Sequence, residues 1–183
     1  MIVHMVLMAL LVILSIFSAV KLFGIIDQTP EAQKLPMLLY AIFNIVNVIA
    51  LCFGIVYLLN GYTKKAAGYY KTFLLLIVVA NIIGIAVMLL SDNSVNKVLS
   101  LSVLVVKTIA LLVLVFVKDL GKRNTWIVFC ILLFVDLLGG FSYLGDAVVA
   151  QRLIATLSRL TMDGSIGLAI RGKYKDKDAR GTT

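Results

Sequence analysis

Lys107, Asp136 and Arg159 each stand near the middle of a long apolar run, and Asn47 and Asn81 occupy comparable places in two more. An ammonium, a carboxylate and a guanidinium set among aliphatic side chains can bind a polar or anionic solute, relay a proton or pair with one another. Amides at the same level can add hydrogen bonds to any of these. Asp163 follows Arg159 by four residues, which places it one helical turn along on the same face. The candidate binding residues are therefore Lys107, Asp136, Arg159, Asp163, Asn47 and Asn81. Ser15 is the polar residue of a sixth apolar run.

Runs of this kind need a membrane to hold them. The chain has 183 residues, 62% of them hydrophobic and 14% charged, with a mean hydropathy of +1.08. A soluble domain is about 45–50% apolar and about 25% charged. A soluble fold of this size still exposes about a third of its unfolded surface, so it cannot hide the excess. The expected class is all-α, a polytopic integral membrane helical bundle of about six transmembrane helices. The spans read as 3–24, 36–60, 70–91, 97–118, 124–145 and 147–170, each near the ~20 residues a bilayer requires. They form one transmembrane domain, 1–170, followed by a basic and frayed tail, 171–183.

That layout predicts pairs. Lys107 is central in the fourth span and Asp136 central in the fifth, and the tight turn between them makes the two helices antiparallel neighbours. Lys107 and Asp136 should then meet at one depth. A lone charge there costs about 2.5–3.5 kcal/mol on insertion scales, so the charges must be compensated. Arg159 is left to pair with Asp163 on its own helix, where Arg152, Thr156, Arg159 and Asp163 form a stripe.

Small and polar residues mark the bundle-facing sides of the other spans. Tyr40, Asn44, Asn47 and Gly54 share a face in the second, and Asn81, Gly84 and Ser91 in the third. Asp136, Gly140 and Tyr143 share one in the fifth, and His4, Met8, Leu11, Ser15 and Ser18 in the first. His4 itself reads as an interfacial residue. Pro36 fits the first turn of the second span. Tyr62, Tyr69 and Tyr70 suit the headgroup belt, and Ser91 to Ser94 can close the third span and cap the fourth. Residues 147–170 would also suit an amphipathic helix lying at the interface, but that option leaves the basic tail outside.

The net charge of +8 does not indicate nucleic acid, because the basic residues flank apolar spans. With the N-terminus inside, eleven lie on the cytoplasmic side: Lys64, Lys65, Lys71, Lys118, Lys122, Arg123, Arg171, Lys173, Lys175, Lys177 and Arg180. Four lie outside: Lys21, Lys34, Lys97 and Arg152. The bias puts both termini in the cytoplasm and the chain in the plasma (inner) membrane of the cell. The first span lacks a basic segment before it and an A-x-A site after it, so it reads as a retained helix.

Catalytic chemistry has no signature here. Neither H-E-x-x-H, G-x-S-x-G, a P-loop nor C-x-x-C occurs. Leu144-Gly145-Asp146 follows Tyr143 where the G-x-G-D of intramembrane aspartyl proteases begins with glycine. The Arg171 that follows Asp163-Gly164 is too distant for the D-G-x-x-A-R of CDP-alcohol phosphotransferases. Cys52 and Cys130 lie inside apolar spans as small hydrophobes, and neither a metal nor a cofactor is expected. In size and span count the chain is similar to the substrate-binding membrane subunits of vitamin-type transporters, a similarity of architecture that carries no residues. Two functions remain open. One is a small transporter or solute-binding membrane subunit with a polar midplane site. The other is a non-catalytic scaffold or accessory protein that packs against a membrane-protein partner, its buried charges structural. The first predicts a cavity at the Lys107/Asp136 level; the second predicts solid packing there.

Overall fold

The computed structural model describes residues 2–60, 66–90, 97–117, 120–142 and 149–180, with side chains at 2–60, 67–90, 97–117, 120–138 and 159–174. The described residues form six α-helices and no strand: α1 (Ile2–Ile25), α2 (Glu31–Leu59), α3 (Ala66–Leu90), α4 (Lys97–Phe116), α5 (Gly121–Ser142) and α6 (Val149–Arg180). A 3-10 turn, Ile26–Gln28, joins α1 to α2. Each helix packs on the next, and α6 returns to α1 and α2, which closes the bundle. Expected features at 61–65, 91–96, 118–119, 143–148 and 181–183 lie outside the described residues, as do the side chains of Arg152 and Thr156.

Among the described residues, α1 to α4 are each long and apolar enough to cross a membrane. Lys122, Arg123 and Asp136 dilute α5, and α6 is more charged still. The surface carries the clearest physical signal. Phe17, Val20, Ile82, Ile109 and Phe134 are exposed, while Lys107, Asp136 and Asp163 are buried. Water would select the reverse arrangement, and apolar faces of this extent suit contact with lipid.

Element ends depart from the expected ones for local reasons. The second helix begins at Glu31, not at Pro36, so the proline sits inside it. Its missing N–H costs one intrahelical bond near the start. Pro30 cannot continue a helix backward, and Glu31 favours the positive end of the helix dipole. Gly121 adopts φ +70, a conformation open to glycine, where α5 begins. The segment 171–180 does not fray as expected but continues α6 to Arg180. Lys173 and Asp176, and Lys175 and Asp178, are three apart and Asp176 and Arg180 four, spacings that suit a helix.

The core is built from close approaches. A Cβ on Gly54 would come within 2.7 Å of Met8 Cε and 3.1 Å of Phe73 Cε2, so α1, α2 and α3 meet where a larger residue would make Met8 and the Phe73 ring shift. Tyr57 and Tyr70 stack obliquely, with centroids 5.2 Å apart, at one end of the bundle. Tyr174 of α6 is buried and bonds Thr125 of α5 at 2.7 Å. Tyr70 is only partly exposed and turns toward this cluster, whereas Tyr69 stays at the surface.

Candidate functional site

The register of neighbouring helices fixes which polar residues come level. Asn44 Nδ2 lies 3.5 Å from Ser18 Oγ, and Gly54 faces Met8, so α1 and α2 run antiparallel with Asn47 opposite Ser15. Phe73 faces Gly54 and Phe43 faces Gly84, which brings Asn47 opposite Ala80 and Asn81. Leu104 also faces Gly84, so Asn81 is level with Lys107. Phe129 packs on Gly167, and Thr125 bonds Tyr174, which sets Asp136 of α5 opposite the 160–163 turn of α6. A polar layer thus runs from Ser15 through Asn47, Asn81, Lys107 and Asp136 to Asp163.

Lys107 and Asp136 hold its centre. The Lys107 Nζ donates to Asp136 Oδ2 at 2.6 Å, and the two residues are only 5% and 2% exposed. The pairing expected from their depth is made. An ion pair this dry is stable only when its geometry compensates the lost hydration, and removing one partner strands the other.

Asp163 comes to the same place from α6. It is fully buried, and neither carboxyl oxygen accepts a hydrogen bond among the described residues. The charges that act on it are Lys107, Asp136 and Arg159. The sequence spacing suggests that Arg159 pairs with Asp163, but it does not hydrogen-bond to it. Arg159 is half-buried one turn away, about 6 Å along α6, and acts on Asp163 through space. Helical spacing of four permits such a pair but does not oblige the two side chains to converge.

The two asparagines contribute unequally. Asn81 is 5% exposed, and its Nδ2 has no hydrogen-bond partner among the described residues. Asn47 is only partly buried. Asn44 is buried and spends its amide on the Tyr40 carbonyl at 2.9 Å and on Ser18, which is helix packing.

A second polar cluster is not anticipated by the sequence. The Nε2 of His4 lies 2.8 Å from Ser165 Oγ, and Ser165 also donates toward the Thr161 carbonyl at 3.0 Å or Met8 Sδ at 3.2 Å. His4 therefore caps an α1–α6 contact and is not merely interfacial. The available signal is the run Gly164-Ser165-Ile166-Gly167. Its small residues let α1 and α5 approach, since a Cβ on Gly164 would lie 2.6 Å from His4 Cε1 and one on Gly167 2.9 Å from Phe129 Cζ.

Two grooves lie away from the polar layer. A groove of about 560 Å³ between α1, α5 and α6 is lined by His4, Trp126, Phe129, Gly164 and Arg171, and another of about 610 Å³ follows the outer face of α5 past Trp126 and Cys130. Neither is lined by Lys107, Asp136 or Asp163. Chemically, the pair already satisfies the Lys107 cation; what the layer leaves open is an acceptor, Asp163, and a donor, Asn81 Nδ2. No family model matches the chain, and neither a curated protein nor a solved structure does.

Proposed function

We propose that this is a six-span inner-membrane protein acting as a small transporter or solute-binding membrane subunit with a polar midplane site. The single observation that carries the reading is Asp163, fully buried beside a completed ion pair with both oxygens unsatisfied. A buried polar group without a partner costs about 1–3 kcal/mol and more when charged. A layer serving only as glue has no reason to keep one. Intramembrane ionisable groups that face a bundle interior are functional candidates by default. Lys107, Asp136, Asp163, Arg159, Asn47 and Asn81 are the proposed binding residues, for a small polar or charged solute. The role is non-catalytic.

The packing of α5 on α4 and of α6 on α1, with Asp136 meeting Lys107, supports six spans. Eleven Lys and Arg against four support cytoplasmic termini. The test is a thermal-shift screen of small metabolites against detergent-solubilised protein. A solute that binds the native state raises its melting temperature by mass action. The expected result is a shift that Asn81→Leu and Asp163→Ala abolish; a full screen with no such shift overturns the reading.

The scaffold reading has its own support, the closed Lys107–Asp136 pair that neither groove reaches. It predicts that a variant with both charges replaced by apolar side chains keeps every function, including association with a membrane-protein partner.

A further inference from the structure

We infer that Asp163 binds a proton and shares it with Asp136, which makes H⁺ the ion handled by the midplane layer. The inference deepens the transport reading and rests on it for its use in the cell. The binding itself stands on geometry.

Asp163 is 0% exposed, its oxygens accept no hydrogen bond among the described residues, and the α5–α6 register sets it beside a second buried carboxyl, Asp136. Two carboxylates cannot hydrogen-bond to each other, because both only accept. Among the described residues no donor bonds Asp163 in its place. From α4, the Lys107 ammonium is committed to Asp136 at 2.6 Å. On α6 itself, Arg159 acts through space without a hydrogen bond to it. From α1, the His4 ring is turned to Ser165. From α2 and α3, only the amides Asn47 and Asn81 come level. One proton resolves the conflict. It forms an O–H on Asp163, and that hydroxyl donates to the Asp136 carboxylate, which also keeps Lys107.

A larger cation fits less well. Hard cations collect six or more oxygen ligands. Here the two carboxyls are accompanied by an ammonium and a guanidinium, which repel a metal, and the described residues hold no cluster of three or more acidic, His or Cys ligands.

The exchange is simple to write. A proton from water bonds to an Asp163 oxygen, and on release that O–H breaks and the proton returns to water. The freed carboxylate then competes with Asp136 for the Lys107 ammonium. Lys107 thus has two stations, one on α5 and one on α6, and the proton chooses between them. Entry has a short route, since the groove between α1 and α5 is walled by Gly164, the residue next to Asp163, with the His4 ring over it.

The experiment is infrared difference spectroscopy of the purified full-length protein in lipid nanodiscs, stepped between acidic and alkaline buffer, with the proton as the only ligand. We expect a protonated-carboxyl band that shifts in heavy water, disappears in Asp163→Asn and returns at a displaced frequency in Asp163→Glu. Asparagine can donate to Asp136 as the protonated acid does, so Asp163→Asn should fold with at least the wild-type melting temperature. A wild-type spectrum without an exchangeable carboxyl band, or one that Asp163→Asn leaves unchanged, overturns the inference. Solute uptake into vesicles is scored separately. An Asp163 band in a protein that moves no solute keeps the proton site and removes the transport reading. Solute movement without the band removes the proton site alone.

Discussion

His4 Nε2 and Ser165 Oγ stand 2.8 Å apart, which ties the first helix of the bundle to the last. The Ser165 hydroxyl has one proton to donate, and the Thr161 carbonyl at 3.0 Å takes it within α6. His4 is then the donor of the inter-helix bond. Ser165→Ala and His4→Phe each remove that bond while keeping most of the volume, and each should cost about 1 kcal/mol. The double variant should cost little more than either single one, because both remove the same interaction. Thermal unfolding in detergent measures all three; fully additive losses would show that the bond contributes nothing.

Lys107 and Asp136 make a stronger prediction. Lys107→Met leaves the carboxyls of Asp136 and Asp163 buried with Arg159 as the remaining nearby cation. Stranding one member of such a pair costs about 3–5 kcal/mol. Replacing both, as Lys107→Met with Asp136→Leu, removes the stranded charge and should recover most of that loss. Recovery of stability with loss of solute binding assigns the pair to the site. Recovery of both assigns it to packing.

The Lys107–Asp136 pair is legible in the sequence because a tight turn fixes α4 against α5 and depth then follows from counting at 1.5 Å per residue. The rest of the layer needs the same depth argument carried across helices whose facing sides are not fixed by spacing alone. Asp163 is legible as a buried acid but its spacing points to Arg159, since spacing along one helix is visible in sequence and convergence between two is not. His4 looks interfacial because it stands close to the start of the chain. Only the packing of α1 on Gly164 reveals that it meets α6. Helix types are readable from hydropathy, whereas the continuation of α6 through its charged end is not.

Gly54 and Gly84 should respond differently to the same small change. A Cβ at Gly54 would lie 2.7 Å from Met8 Cε and 3.1 to 3.2 Å from the Phe73 ring, and the ring has little room to yield. At Gly84 the nearest atoms, on Leu104 and Phe43, are 3.7 Å away, an ordinary contact. Gly54→Ala should destabilise by about 1–3 kcal/mol through overpacking. Gly84→Ala should be neutral or slightly stabilising, because alanine restricts the unfolded chain more than glycine does. Equal melting temperatures for the two variants would contradict the α1–α2–α3 packing described above.

Cys52 and Cys130 test the solvent of the bundle and the depth of α5. Both thiols are exposed on the surface of the molecule. Cys130 precedes Asp136 by six residues and Cys52 follows Asn47 by five, so each lies about 8–9 Å along its helix from the polar layer. That is inside the ~15 Å half-thickness of a bilayer's hydrocarbon core. Maleimides react with the thiolate, which needs water to form. A membrane-impermeant maleimide should therefore leave both cysteines unlabelled in vesicles, although nothing in the protein covers them, and should label both after the chain is unfolded in SDS. Lys173→Cys, at an exposed position near the end of α6, supplies the positive control in inside-out vesicles. Labelling of Cys130 as fast as the thiol introduced by Lys173→Cys, with Cys52 protected, would place α5 outside the hydrocarbon and reduce the spans to those of α1 to α4.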